Sequence, residues 1–162
     1  MEPTGTLARH LQKALRCEWL ETNGLGGYAC GTVLGANTRR YHGLLIAATN
    51  PPVGRVVLLS KLEETLVIGA EEFGLSCNIY GNVMHPQGFL YLEEFCAEPW
   101  PTWRWRAGEW VLEKEVFMPH GRNAVVVRYR LVEGTHPIWL VVRPLVACRG
   151  HHELQKARTD FS

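Results

Sequence analysis

The sequence predicts an all-β protein, an antiparallel β-sandwich led by one short helix, and three observations carry that expectation. Runs of about four to eight β-branched and aromatic residues recur from Trp19 onward. Clusters of Gly, Pro and Asn with turn chemistry separate them. No helical period intervenes between the runs, and many short strands without helices argue for a sandwich or barrel.

The helical period is confined to the start. Leu7, Leu11, Ala14 and Leu15 share one face, with Arg9, Gln12, Lys13 and Arg16 opposite, and Thr4 or Thr6 is the candidate cap. This assigns residues 1–18 to a helical segment and 19–162 to the sandwich. The clearest strands are Leu44–Ala48, Arg55–Ser60, Glu64–Ile68, Phe89–Phe95, Trp110–Met118, Asn123–Leu131 and Ile138–Leu145. Val125, Val127, Tyr129 and Leu131 alternate with Val126, Arg128 and Arg130, the period of a half-buried strand. Turns are expected at Thr49–Gly54, Gly81-Asn82, Ala107-Gly108, His120–Asn123 and Glu133–Pro137. The segment Gly150–Ser162 turns polar without a closing strand, which leaves open a sandwich incomplete at its C-terminal end.

Composition narrows the function classes. The 162 residues are 46% hydrophobic and 20% charged, ordinary for a soluble globular fold. A net charge of +1 gives no global reason to expect nucleic acid or an anionic membrane. The apolar runs Leu44–Ala48, Val56–Leu59 and Ile138–Val142 are too short to span a bilayer, and Met1-Glu2-Pro3-Thr4 lacks a signal-peptide layout. A cytoplasmic location is the expectation. The 5 cysteines are widely spread with no Cys-x-x-Cys pair, and read as reduced, mostly buried small hydrophobes. Asp160 is the single aspartate, which argues against a divalent-metal site.

Several motifs fail on physical grounds. Gly24-Leu25-Gly26-Gly27-Tyr28-Ala29 fits a dinucleotide fingerprint, but Gly31, Thr32, Val33 and Gly35 are poor helix material. No acid for a ribose follows before Glu63. The segment reads better as a glycine-rich turn with positive φ. No Gly-x-Ser-x-Gly elbow exists, and a polar terminal segment explains the His151-His152 pair more simply than a metal does. The doublets Glu63-Glu64, Glu71-Glu72 and Glu93-Glu94 read as solvated edges, since strand neighbours point to opposite faces.

The stretch Thr22–Leu62 contains no acid yet holds Arg39, Arg40, His42, Arg55 and Lys61. Its segment Asn37-Thr38-Arg39-Arg40-Tyr41-His42-Gly43 concentrates groups that bond hydroxyls or carboxylates. Two readings stand level: a structural turn tied by Arg–carboxylate pairs, and a ligand or interdomain contact. Trp103 and Trp105, on one face of a strand in Pro99–Arg106, suit core packing better than stacking on sugar rings or bases.

Glu18–Ala29, Gly31-Thr32-Val33, Asn37–Leu45, Pro51–Arg55 and Leu58–Glu64 closely resemble one family, the N-terminal domain of archaeal and bacterial glycogen debranching enzymes of the amylo-alpha-1,6-glucosidase type. Glu113-Lys114, Arg143-Pro144-Leu145 and Arg149 with His152 match it too. Where that family follows the Arg149 position with an acid and an aromatic, Gly150 and His151 stand here. The resemblance implies a β-sandwich, no cofactor, and a role in cleaving α-1,6 branch points of glycogen-like α-glucans. It places the hydrolytic carboxylates in a following (α/α)6 barrel, for which this chain has no room. The implied partners are that catalytic barrel and α-glucan, with oligomerisation left open and no catalytic residue expected here. The expected substrate or interdomain contact is Asn37, Arg39, Arg40, Tyr41 and His42, with Thr22 and Asn23 beside them. Trp103, Trp105, Arg149 and His152 are secondary candidates. The alternative is a stand-alone glucan-binding module built on the Trp ribbon.

Overall fold

A computed structural model describes residues 6–51, 53–135 and 137–154, with the backbone alone at 6–9. The Thr4 cap and most of the polar tail lie outside the described residues. Helix α1 (Thr6–Ala14) precedes β1 (Glu18–Thr22), β2 (Tyr28–Thr32), β3 (Gly43–Asn50), β4 (Gly54–Ile68) and β5 (Glu71–Gly74). Then come β6 (Cys77–Tyr80), β7 (Val83–Gln87), β8 (Leu92–Cys96), β9 (Thr102–Ala107), β10 (Trp110–Phe117), β11 (Val126–Glu133) and β12 (Trp139–Gly150). One sheet runs β1-β2-β3-β4-β12, with β5 also paired to β4; the second runs β11-β10-β9-β8; β6 and β7 form a ribbon. Every pairing is antiparallel. The sandwich is therefore as expected.

The expected strands Arg55–Ser60 and Glu64–Ile68 are one strand, the 15-residue β4. Lys61-Leu62-Glu63 fills the gap between the two expected strands. Lys61 Nζ is buried and donates to Gly35 O at 2.9 Å, Cys77 O at 2.8 Å and Asn78 Oδ1 at 2.7 Å, while Asn78 Nδ2 donates to Glu63. All three ammonium hydrogens have acceptors. The expected strand Phe89–Phe95 begins late, because a 3-10 turn occupies Gly88–Leu90. A Cβ at Gly88 would stand 1.8 Å from Leu75 O, so only glycine fits there. The glycine-rich segment after Thr22 is a hairpin turn with positive φ at Gly24 and Gly26, and a strand, not a helix, follows it.

The inner faces meet in one core. Trp19, Ala29, Leu44 and Leu66 come from the first sheet; Trp103, Trp105, Ala107, Leu112 and Val116 come from the second. Trp19 abuts Trp103 edge-on at 5.2 Å, and Trp103 stacks on Trp105 at 6.5 Å with planes 8° apart. Both indoles of the ribbon are core residues, which corrects their candidacy as a sugar platform: buried faces cannot stack on a ring in solvent.

A polar bolt crosses this core. Lys114 Nζ lies 2.6 Å from Glu64 Oε1, which also accepts from Tyr129 Oη at 2.8 Å, and Ser76 Oγ donates to Oε2 at 2.9 Å. Burial pushes the Glu64 carboxyl up, but the Lys114 charge and the three hydrogen bonds more than reverse it, leaving it below the usual range. The doublet Glu63-Glu64 is thus no solvated edge. On the outer face of the second sheet, Arg104 bonds Glu94 and Glu113, and Arg106 bonds Glu93 and Glu133. A register shift between Leu92 and Glu94 turns both carboxylates of that doublet to one face.

Of the cysteines, Cys77 alone is fully buried; Cys30 is half-buried and Cys17, Cys96 and Cys148 are exposed, all as free thiols. That corrects the expectation of mostly buried cysteines, because Cys17 follows the helix and Cys148 lies on an edge strand. No helix among the described residues is long and apolar enough to cross a membrane.

Candidate functional site

The Asn37–His42 segment lies between β2 and β3 and packs against the start of β1, the middle of β4 and the end of β12. His42 is buried, its Nδ1 accepting from Thr38 N at 3.1 Å, which leaves the neutral ring's proton on Nε2, 3.2 Å from Glu18 Oε1. Burial is the main force holding this imidazole below its ordinary pKa. The same Glu18 oxygen meets Arg39 Nε at 2.8 Å. Arg39 therefore does have an internal partner, one of the outcomes its acid-free surroundings left open. Asn37 is exposed and donates to Ser60 O and Oγ, each at 3.1 Å.

Asn23 is a structural bracket rather than a surface contact. It is fully buried; Oδ1 accepts from the Leu25 and Gly27 amides, and Nδ2 donates to Arg122 O and Asn123 Oδ1. It clamps the β1–β2 turn to the β10–β11 turn, so direct contact with an outside ligand is closed to it. Thr22, the last residue of β1, is exposed beside it.

Arg40 and Tyr41 turn toward the end of β12. Arg40 Nη1 donates to His152 O at 3.1 Å, and Arg149 Nη2 donates to Arg40 O at 2.6 Å. Tyr41 Oη is 3.2 Å from His152 Nδ1, and the Tyr41 ring centroid lies 5.2 Å from that of His151. So residues more than 100 apart in sequence, Arg40 and Tyr41 with Arg149 and His152, form one corner. Tyr28 joins it by donating to Tyr41 O at 3.2 Å, and Arg55 joins it through the His151 amide, which bonds Arg55 O at 3.3 Å. Burial is the main reason the Tyr28 phenol is pushed up to about 12. Tyr28, Arg55 and His151 are not among the expected contact residues; the legible signals are Arg55 inside the acid-free stretch and the His151-His152 doublet.

An open cleft of about 270 Å³ lies between α1 and the Asn37–His42 loop, lined by Gln12, Leu15, Arg16, Glu18, Thr38 and Arg39. A cavity of about 50 Å³ between the sheets is bounded by Trp19, Lys61, Glu64, Ser76, Trp103 and Lys114. That is far below the ~300 Å³ at which ordinary ligand pockets begin, so it holds no sugar unit. No group of three or more His, Cys, Asp or Glu side chains is arranged for a metal among the described residues.

Comparison with known families decides the family. The model for the N-terminal region of glycogen debranching enzyme matches residues 17–162. The chain belongs to that family. No curated protein and no solved structure matches the chain. The debranching-enzyme match spans the whole sandwich, and both the Asn37–His42 loop and the Arg149–His152 strand end lie within it.

Proposed function

We propose that this chain is a noncatalytic β-sandwich domain of a cytoplasmic glycogen debranching enzyme, one that supports a separate catalytic barrel acting on α-1,6 branch points. The observation that carries the reading is the family match over the whole sandwich. The carboxylates agree with it. A glycosidase needs two acids facing across a substrate, one of them with a raised pKa. Here the buried pair, Glu64 and Glu113, is tied to Lys114 and to Arg104 and Arg130, and both are held below the usual range. Burial does push the Glu21 carboxyl up, but Glu21 stands on the edge strand β1. Asn37, Arg39, Arg40 and Tyr41, with Arg149 and His152, are the proposed contact to the barrel or to glucan, and the buried His42 holds the loop from beneath. No cofactor is needed for that role.

Purified chain incubated with a branched limit dextrin is expected to release no glucose. Release that a single Glu substitution abolishes would overturn the noncatalytic reading. Arg39→Ala with Arg40→Ala is expected to weaken docking to a separately expressed barrel, or glucan affinity, with little change in thermal midpoint. A large loss of midpoint with docking and glucan affinity unchanged would make the loop an internal tie.

A further inference from the structure

The arginines of this protein follow a pattern with one exception. Arg39, Arg104, Arg106, Arg128 and Arg130 each meet a glutamate. Among the described side chains, Arg16, Arg40, Arg55, Arg122, Arg143 and Arg149 have no carboxylate within ion-pair distance. Four of these six are exposed and need none, because water screens them. The two that are half-buried, Arg55 and Arg149, stand at the same corner, and exposed Arg40 stands with them.

Their hydrogen bonds go to neutral acceptors. Arg55 Nε donates to Gly26 O at 2.6 Å; Arg149 donates to Glu153 O at 2.7 Å and Arg40 O at 2.6 Å; Arg40 donates to His152 O at 3.1 Å. Carbonyls fix where these guanidinium groups point but do not neutralise them. Partly desolvated cations without a counter-ion are costly, and an anion bound among them removes that cost. His151 reports the same field: burial first, then the charges of His152, Arg55 and Arg149, hold its imidazole below the ordinary value. Tyr41 and Tyr28 add hydroxyls, and the Glu153 carboxyl lies against Gly150 rather than on these arginines.

We infer that Arg40, Arg55 and Arg149, with His151 and His152, form a receptor for a phosphate-class oxyanion at the corner where the β2–β3 loop meets the end of β12. Guanidinium groups bond such oxygens in pairs with charge assistance, and three of them suit a group with several acceptor oxygens better than they suit a neutral glucan. Free phosphate and the phosphate of a sugar ester share that chemistry. The inference rests on this corner facing outward, as in the proposed function, but not on barrel docking or neutral glucan binding.

The test is a titration of the chain with inorganic phosphate, and separately with glucose 1-phosphate, at constant ionic strength set with chloride. The imidazole resonances of His151 and His152 are followed by NMR. Saturable shifts are expected, with His151 titrating at higher pH in saturating phosphate than in chloride. Arg40→Gln, at an exposed position, is expected to weaken binding by about tenfold with the thermal midpoint unchanged. Arg149→Lys is expected to weaken it as well, since a point charge replaces the fork. Tighter binding of the ester assigns the site to a phosphorylated sugar; equal affinity assigns it to free phosphate. Shifts that do not saturate with either ligand, or saturable binding that both variants leave unchanged, overturn the inference. Maltose and barrel-docking assays run alongside address the proposed function, and phosphate binding stands or falls without them.

Discussion

At the scale of single residues, the most consequential group is Lys114. Its ammonium reaches the buried Glu64 carboxylate at 2.6 Å and lies 5.4 Å from the centre of the Trp103 ring. Lys114→Met leaves Glu64 buried with two hydroxyl donors and no counter-charge, and is expected to cost about 3–5 kcal/mol, read from the urea midpoint at neutral pH. The pH dependence follows from the sign of the shift. Glu64 is lower in the folded chain than its ordinary value, so its contribution is complete above the unfolded pKa and is lost as pH falls through the folded one. Denaturation midpoints should therefore drop on acidification, and the drop should be smaller in Glu64→Gln. Gly24 is a second sensitive position: φ is +77° and a Cβ there would stand 2.3 Å from His120 Cε1. Gly24→Ala should destabilise by more than about 1 kcal/mol in the same assay.

At the scale of elements, β9 shows how alternation divides labour. Trp103, Trp105 and Ala107 face the core, while Arg104 and Arg106 lie in the outer lattice of glutamates. Trp103 also anchors a loop, its indole N–H donating to Val33 O at 2.7 Å. Trp103→Ala is expected to cost about 3–5 kcal/mol by thermal melting. Trp100→Ala, on a side chain 36% exposed, should cost clearly less. Unchanged stability in Trp103→Ala together with lost glucan affinity would restore the aromatic ribbon as a binding surface. The period of two was legible in the sequence from Val125–Leu131 and from the Trp-Arg-Trp-Arg run. Its inside-out assignment required knowing that a second sheet covers the indoles.

At the scale of the molecule, the two sheets are closed unevenly. β12 and β11 are the edge strands of their sheets, and both leave apolar side chains in water. Trp139 is 76% exposed, Val146 56%, and Leu131 40%. Long apolar edges invite pairing with another chain. Sedimentation velocity is expected to show association that rises with protein concentration and is reduced in Trp139→Lys. A monomer at every concentration would show that Pro144 and Arg143 blunt the edge sufficiently.

The sequence by itself determined the β class, the turns and the family, because strand period and turn chemistry are local and the family's motifs are contiguous runs. It also located the Asn37–His42 loop. Only the tertiary structure decided which of its polar groups face inward. Glu64 read as a solvated doublet until Lys114, 50 residues away, was brought against it. Asn23 read as a neighbour of the contact loop until the β10–β11 turn was placed on it, and the choice between an internal tie and an outside partner for Arg39 waited on Glu18. The Arg40–Arg149 corner joins positions 109 apart. A buried charge is tolerable only where folding supplies its partner, and a partner chosen by sheet pairing leaves no trace in local sequence.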